Sequence, residues 1–395
     1  MSKLMREQFE RVIPREEGNA EKYILRRQLF GTDNVLPMWV ADMDIATPSF
    51  VTDAVSQRAA EHIYGYEEMP ESAYEAQVSW MKRRHGFEMK REWMLYSPSV
   101  VATINVAIQA FTKPGDKVIC QPPVYAPFFK SIANNSRSLL ANPLRRDEAG
   151  DYHFDFDDLR KKIDKDTKLL LLCSPHNPVG RVWQREELEE LAAICLEHGI
   201  KVLSDEIHSD LVFKPNRHIP FASLSDEVRA ITATAIGPGK TFNVAGLAIS
   251  TVVIADEEMR ESFKKVHRSI HFAEGTVFGH VGFEAAYREG DLWVDGLVDH
   301  LEKNLKKLEL LVQKYSDKIS MRSPEGTYLA WIDCSQMGLN DRALRRFFVD
   351  EAKLGLNPGI VFGKEGKGFM RLNFAVPSVL MEQAIEQLDH ALSNI

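Results

Sequence analysis

Apolar positions along this chain fall into short uninterrupted runs, separated by stretches that repeat with helical period. Val118-Ile119-Cys120 and residues 169–173, 200–203 and 230–236 have the composition of strands buried on both faces. Between them the period changes. Residues 125–134 and 185–198 predict helices, the second with Leu188, Leu191, Ala192 and Cys195 on one face and Gly199 as its stop. Upstream, Thr47 as N-cap with Pro48 at the first helical position predicts a helix to about His62, and a second helix follows over 72–85. Residues 95–97 then read as a strand that turns at Pro98 into a helix from Ser99 to Phe111.

Beyond Ala255 the pattern differs. Residues 257–288 and 291–315 predict long helices, 328–332 and 370–374 strands, 343–351 a short helix and 378–393 a final helix striped by Leu380, Ala384, Leu388 and Ala391. Alternation of buried strands with helices implies an α/β fold in which a mostly parallel sheet is sandwiched by helices. The carboxyl-terminal part reads as a smaller α+β unit. The expected division is residues 49–285 as a large domain, 286–395 as a small one, and 1–48 packing with the small domain.

Composition narrows the function. With 395 residues, 44% hydrophobic, the chain can bury a large core. A net charge of −8 with both signs interspersed argues against a nucleic-acid surface. No apolar run approaches the ~18 residues of a membrane span, and the first residues lack a secretory apolar region, so a cytoplasmic protein is expected. Cys120, Cys173, Cys195 and Cys334 are widely spaced, which suits a reducing compartment and gives no metal-binding pattern.

In open parallel sheets, ligands sit beyond the carboxyl ends of the strands. Four polar residues follow predicted strands there: Tyr125 in Q-P-P-V-Y, Asn177 in S-P-H-N-P-V-G, Asp205 with His208 in S-D-E-I-H, and Lys240 in G-P-G-K-T. Singly, each has an ordinary explanation: a packed aromatic, an Asn-Pro turn, a helix cap, a lysine reaching solvent. Lys240 does not belong to a phosphate-binding G-x-x-x-x-G-K-[ST] loop, because Thr234 stands where the first glycine is required. Jointly the four are hard to explain as turn chemistry. A buried lysine has a lowered pKa and can serve as a nucleophilic amine toward an aldehyde cofactor. The helix start at Ser99 offers free N–H groups to an anion. Arg371 lies inside an apolar strand, where it either pairs with a local acid or faces a ligand carboxylate. Asp42 and Asp44 beside Trp39 line a pocket or act as caps, and Tyr64-Gly65-Tyr66 reads as packing.

The runs W-V-A-D-M-D at 39–44, Y-G-Y at 64–66, S-P-H-N-P-V-G-R-V-W at 174–183, S-D-E-I-H at 204–208, K-T-F-N-V-A-G at 240–246 and R-L-N at 371–373 occur in an order that resembles the fold-type-I pyridoxal-phosphate enzymes. More narrowly the chain resembles the MalY/PatB group of cystathionine β-lyase-like carbon–sulfur lyases. The resemblance implies that Lys240 carries pyridoxal 5'-phosphate as an imine, that Asp205 pairs with the pyridinium nitrogen, that Asn177 bonds the phenolic oxygen and that Tyr125 stacks on the ring. It further implies that Ser99, Val100 and Val101 hold the phosphate, with His208 in the cofactor shell. Tyr66 would reach the phosphate of a neighbouring subunit in a homodimer. Arg371 would clamp the substrate α-carboxylate under the backbone near Ala41. Gly237, Gly239 and Ala248 depart from the superfamily pattern, which commonly has hydroxyls and an arginine there to hold phosphate. The activity implied is β-elimination from cystathionine or related cysteine conjugates. An aminotransferase using the same residues is the alternative, and a regulatory protein on the same fold a lesser one.

Overall fold

The computed structural model describes residues 3–271 and 275–395. Its centre is a seven-stranded sheet of β1 (Met94–Ser97), β2 (Lys117–Cys120), β3 (Ser138–Ala141), β4 (Thr167–Cys173), β5 (Lys201–Asp205), β6 (Thr232–Ile236) and β7 (Ser250–Ile254). The spatial order is β1-β7-β6-β5-β4-β2-β3. All neighbours are parallel except β7, which runs against both β6 and β1. β5, β6 and β7 are buried almost throughout, as unbroken apolar runs require when helices cover both faces.

Around the sheet pack α1 (Ser49–Ala59), α2 (Glu71–His85), α3 (Val100–Phe111), α4 (Pro127–Asn134), α5 (Arg185–Glu197), α6 (Glu257–Ser269) and α7 (Val277–Glu289). α5 starts with a capping box between Gln184 and Glu187 and buries Leu188, Leu191, Ala192 and Cys195, the face expected from its period. Ser99 caps α3, its hydroxyl accepting from the Ala102 N–H at 3.2 Å.

Three boundaries differ from expectation. α1 begins at Ser49 without a side-chain cap, because the Thr47 hydroxyl donates instead to the Asn243 carbonyl. The helix expected from Tyr125 begins at Pro127, which leaves Tyr125 on the loop after β2. The single helix expected over 257–288 is two, α6 and α7; residues 272–274 of that stretch lie outside the described ones.

A second sheet holds β8 (Ser320–Met321), β9 (Leu329–Asp333), β10 (Asn357–Pro358) and β11 (Phe369–Asn373), antiparallel throughout in the order β8-β9-β11-β10. Against it lie α8 (Asp291–Lys314) and α9 (Ser378–Ser393). The amino-terminal chain joins this part: Leu36–Pro37 pairs in parallel with Leu354–Gly355, and Glu10 accepts from Ser378. All four cysteines are free and buried. Among the described residues no helix is long and apolar enough to cross a membrane, and no cluster of side chains is suited to a metal.

Candidate active site

β6, β5, β4 and β2 lie side by side, and the residues that leave their carboxyl ends converge on a cavity of about 620 Å³. Register explains the convergence. Cys173 pairs with Asp205, Asp205 with Ala235, and Ser250 of the reversed β7 with Ser97, so the strand ends share one edge. Tyr125, Asn177, Asp205, His208 and Lys240 line the cavity from this edge, Ser99, Val100 and Val101 from the start of α3, and Ala41 and Arg371 from the amino-terminal loop and β11. Tyr66 does not line it; it stands fully exposed.

Lys240 sits in the short helical turn Pro238–Thr241 that follows β6. Its Nζ donates to the Ala41 carbonyl at 2.6 Å. Burial, and then the charge of Arg371, pull its pKa down to about 8 against the opposing pull of Asp42 and Asp205. The neutral amine is therefore accessible near neutrality.

Asp205 ends β5 and accepts from the Ile207 backbone N–H at 3.2 Å. Burial raises its pKa to about 7, partly offset by that bond and by Lys240. His208 is buried with Nδ1 unpartnered, and burial together with Lys240 and Arg371 lowers its pKa to about 3, so it is neutral. Arg371 donates to Asn177 Oδ1 at 3.0 Å and to the Trp39 carbonyl at 2.8 Å, with its guanidinium over the Phe362 ring at 4.7 Å. Among the described residues it has no carboxylate partner, which removes the local ion pair from the two readings of this residue. Burial lowers its pKa to about 10, and its Nε has no partner.

These residues fit pyridoxal phosphate. A buried carboxylate at its raised pKa is stabilised by a protonated ring nitrogen, and an amide already oriented by Arg371 can donate through its nitrogen. The start of α3 lines the same cavity and offers its free N–H groups to a phosphate, while Ser250 lines it with its hydroxyl donating to the Ser97 carbonyl at 2.9 Å. Gly237 has a steric reason: a Cβ there would lie 2.8 Å from the Cβ of Ser250. Gly239 lines the cavity and so leaves its backbone open to a ligand.

Tyr328 and Asn357 carried no signal in the sequence, and Asn373 and Asn243 lay in quoted runs without an assigned role. Tyr328 donates to the same Ala41 carbonyl as Lys240, at 2.8 Å. Asn373 donates to the carbonyls of Val40 and Asp42, both at 2.6 Å, and Asn357 to that of Trp39 at 2.8 Å. Asn243 fixes Met43 and Ile45. Asp42 and Asp44 are neither caps nor free pocket acids. Arg15 and the fully buried Lys22 neutralise them, with contacts of 2.6 Å to Asp44 from each cation. The loop over Lys240 is thereby pinned from three parts of the chain.

Residues 37–388 match the family model for class I and II aminotransferases. The chain is 41% identical over 367 residues to cystathionine beta-lyase PatB of Bacillus subtilis, covering 93% of this chain and 95% of that protein. Among solved structures, a pyridoxal-phosphate-bound protein from Clostridium difficile 630 superposes with a TM-score of 0.95 at 40% identity, covering 97% of this chain and 99% of that one. Cystalysin from Treponema denticola, which contains pyridoxal 5'-phosphate, superposes with a TM-score of 0.94 at 34% identity over 98% of each chain.

Proposed function

The chain belongs to the class I and II aminotransferase family, and from that premise we propose that it is a pyridoxal-phosphate-dependent carbon–sulfur β-lyase. With one water it cleaves L-cystathionine or a related cysteine S-conjugate to a thiol, pyruvate and ammonia. The observation that carries this reading over an aminotransferase is the 41% identity to cystathionine beta-lyase PatB along nearly the whole of both chains, while the Lys240 amine, bonded to a carbonyl rather than to a carboxylate, supplies the base that either reaction needs.

Pyridoxal phosphate, when bound, supplies a protonated ring that withdraws electron density from the substrate's α-carbon. Asp205 keeps the ring nitrogen protonated, and its burial makes that partnership strong. Asn177, Tyr125 and the neutral His208 line the cavity; Asn177 would hold the phenolic oxygen, Tyr125 would stack on the ring and His208 would complete the shell. Ser99, Val100 and Val101 bind the phosphate. Arg371 orients the substrate through its α-carboxylate, using N–H groups that no protein acid engages. Ala41 closes the backbone over it. Lys240 Nζ then takes the proton from the α-carbon. A good leaving group on the β-carbon departs with the electron pair as thiolate. An aminotransferase would use the same Lys240 as its base and would release no thiol.

Residues 49–285 serve as the cofactor-binding unit, and residues 286–395, joined by 1–48, as the unit that presents Arg371. The strand pair Leu36–Pro37 with Leu354–Gly355 supports that grouping. The protein works in the cytoplasm as a homodimer in which Tyr66 reaches the neighbouring subunit's phosphate. The full exposure of Tyr66, beside the exposed apolar Ile63 and Tyr64, supports a covered surface there.

The test is to incubate the loaded enzyme with L-cystathionine without any keto acid and to measure pyruvate and free thiol. Continuous release of both is expected. Turnover that stalls after one equivalent until a keto acid is added overturns the lyase reading in favour of the aminotransferase. Light scattering reads the dimer, and a monomeric mass at working concentration removes the role of Tyr66.

A further inference from the structure

The mouth of the Lys240 cavity carries a feature that the reaction itself does not use. Its wall there is apolar, from Trp39, Pro127, Val361 and Phe362, but two opposite charges interrupt it, Glu21 and Lys130. Both are exposed, and among the described residues neither belongs to an ion pair, with each other or with anything else. Charged neighbours of Glu21 in the amino-terminal segment are paired instead. Glu16 pairs with Arg26, and Arg15 and Lys22 with Asp42 and Asp44.

Glu21 is not on a loose tail. The next residue, Lys22, is fully buried between Asp42 and Asp44, and its carbonyl accepts from the Trp39 indole at 3.0 Å. Glu21 is therefore fixed beside Trp39, close enough to raise the pKa of Tyr125 through its charge. Lys130 projects from α4, the helix that follows Tyr125. The two charges line the same cavity as Lys240 and Arg371, on its exposed side. A thioether suits the apolar wall. Beyond it, one acid and one base that do not neutralise each other fit a group bearing both signs.

Resting on the β-lyase reading, we propose that Glu21 and Lys130 select substrates whose leaving thiol ends in a zwitterionic α-amino acid, Glu21 holding its ammonium and Lys130 its carboxylate. Cysteine conjugates with plain alkyl thiols make neither contact.

The experiment compares wild type with Glu21→Gln and Lys130→Gln on L-cystathionine and on S-ethyl-L-cysteine. Each substitution should raise KM for L-cystathionine roughly fivefold with kcat unchanged, and leave KM for S-ethyl-L-cysteine unaltered. S-(2-aminoethyl)-L-cysteine should respond to Glu21→Gln alone. Binding without turnover is read by calorimetry on the loaded Lys240→Ala protein, where Kd for L-cystathionine should rise by the same factor when either substitution is added. Unchanged KM and Kd for L-cystathionine, or an equal rise for S-ethyl-L-cysteine, overturns the proposal while pyruvate release from S-ethyl-L-cysteine keeps the lyase reading intact. Wild type that yields no pyruvate from either compound overturns both.

Discussion

Asp205 and Asp210 leave the same strand and enter the same interior, yet they are held in opposite states. Asp210 accepts from the Trp80 indole at 2.9 Å, from the Thr241 hydroxyl at 2.8 Å and from His85 at 2.7 Å, and these partners outweigh burial and lower its pKa. Asp205 has one backbone donor, and burial raises its pKa to about 7. The lysines repeat the contrast. Lys22 lies between two carboxylates, whereas Lys240 reaches a carbonyl. One region thus completes its own charges and the other leaves them for a ligand to complete. A buried charge without a partner costs free energy, so its retention marks a site, while a paired one marks the scaffold.

The scaffold region also holds the site in place. Thr241, bonded to Asp210, adjoins Lys240. Glu206, adjoining Asp205, accepts from Ser204 at 2.8 Å, from the Phe221 N–H at 3.0 Å and lies 2.8 Å from His218.

The contrast can be broken most decisively at the lysines. Lys240→Ala should lower pyruvate release from L-cystathionine by about 10³-fold or more, with little change in thermal stability; retained turnover would mean that another amine does the work. Lys22→Met should do the reverse. Leaving Asp42 and Asp44 short of a cation costs about 3 kcal/mol of stability, measured by urea unfolding, and an unchanged midpoint would show that Arg15 suffices. Asp210→Asn should cost about 2 kcal/mol while the bound cofactor's absorbance is unchanged, whereas Asp205→Asn should shift that absorbance with no loss of stability at neutral pH. Swapped outcomes would reverse the assignment of the two acids.

The comparison is sharpened further through pH. The Asp205 carboxyl has its pKa raised in the folded chain, from 3.8 to about 7. Between those values the folded cofactor-free protein binds more protons than the unfolded chain. Its stability should therefore be highest below pH 4 as far as this group is concerned, and fall as pH rises to about 7, by up to about 1.4 kcal/mol per pH unit. Asp205→Asn should remove that component of the profile, and identical slopes in the two proteins would refute it.

Much of this was readable from the chain. Short unbroken apolar runs alternating with helical stretches suit strands covered on both faces, so a mostly parallel sheet and the edge at which ligands gather could be anticipated from the pattern. Tyr125, Asn177, Asp205 and Lys240 were found by their position after such runs, and the order of the motifs pointed to the cofactor. Pairing was not readable. Nothing in the sequence separates Arg371, which meets an amide and a carbonyl, from Lys22, which meets two acids, or tells that Asp210 is completed and Asp205 is not. Those outcomes depend on contacts between residues far apart in the chain, 194 positions for Arg371 with Asn177 and 199 for Lys240 with Ala41. Local pattern fixes which face of an element is buried because burial needs only the element's own period. The partner that a buried charge finds is chosen by how whole elements pack, and only the folded chain decides that.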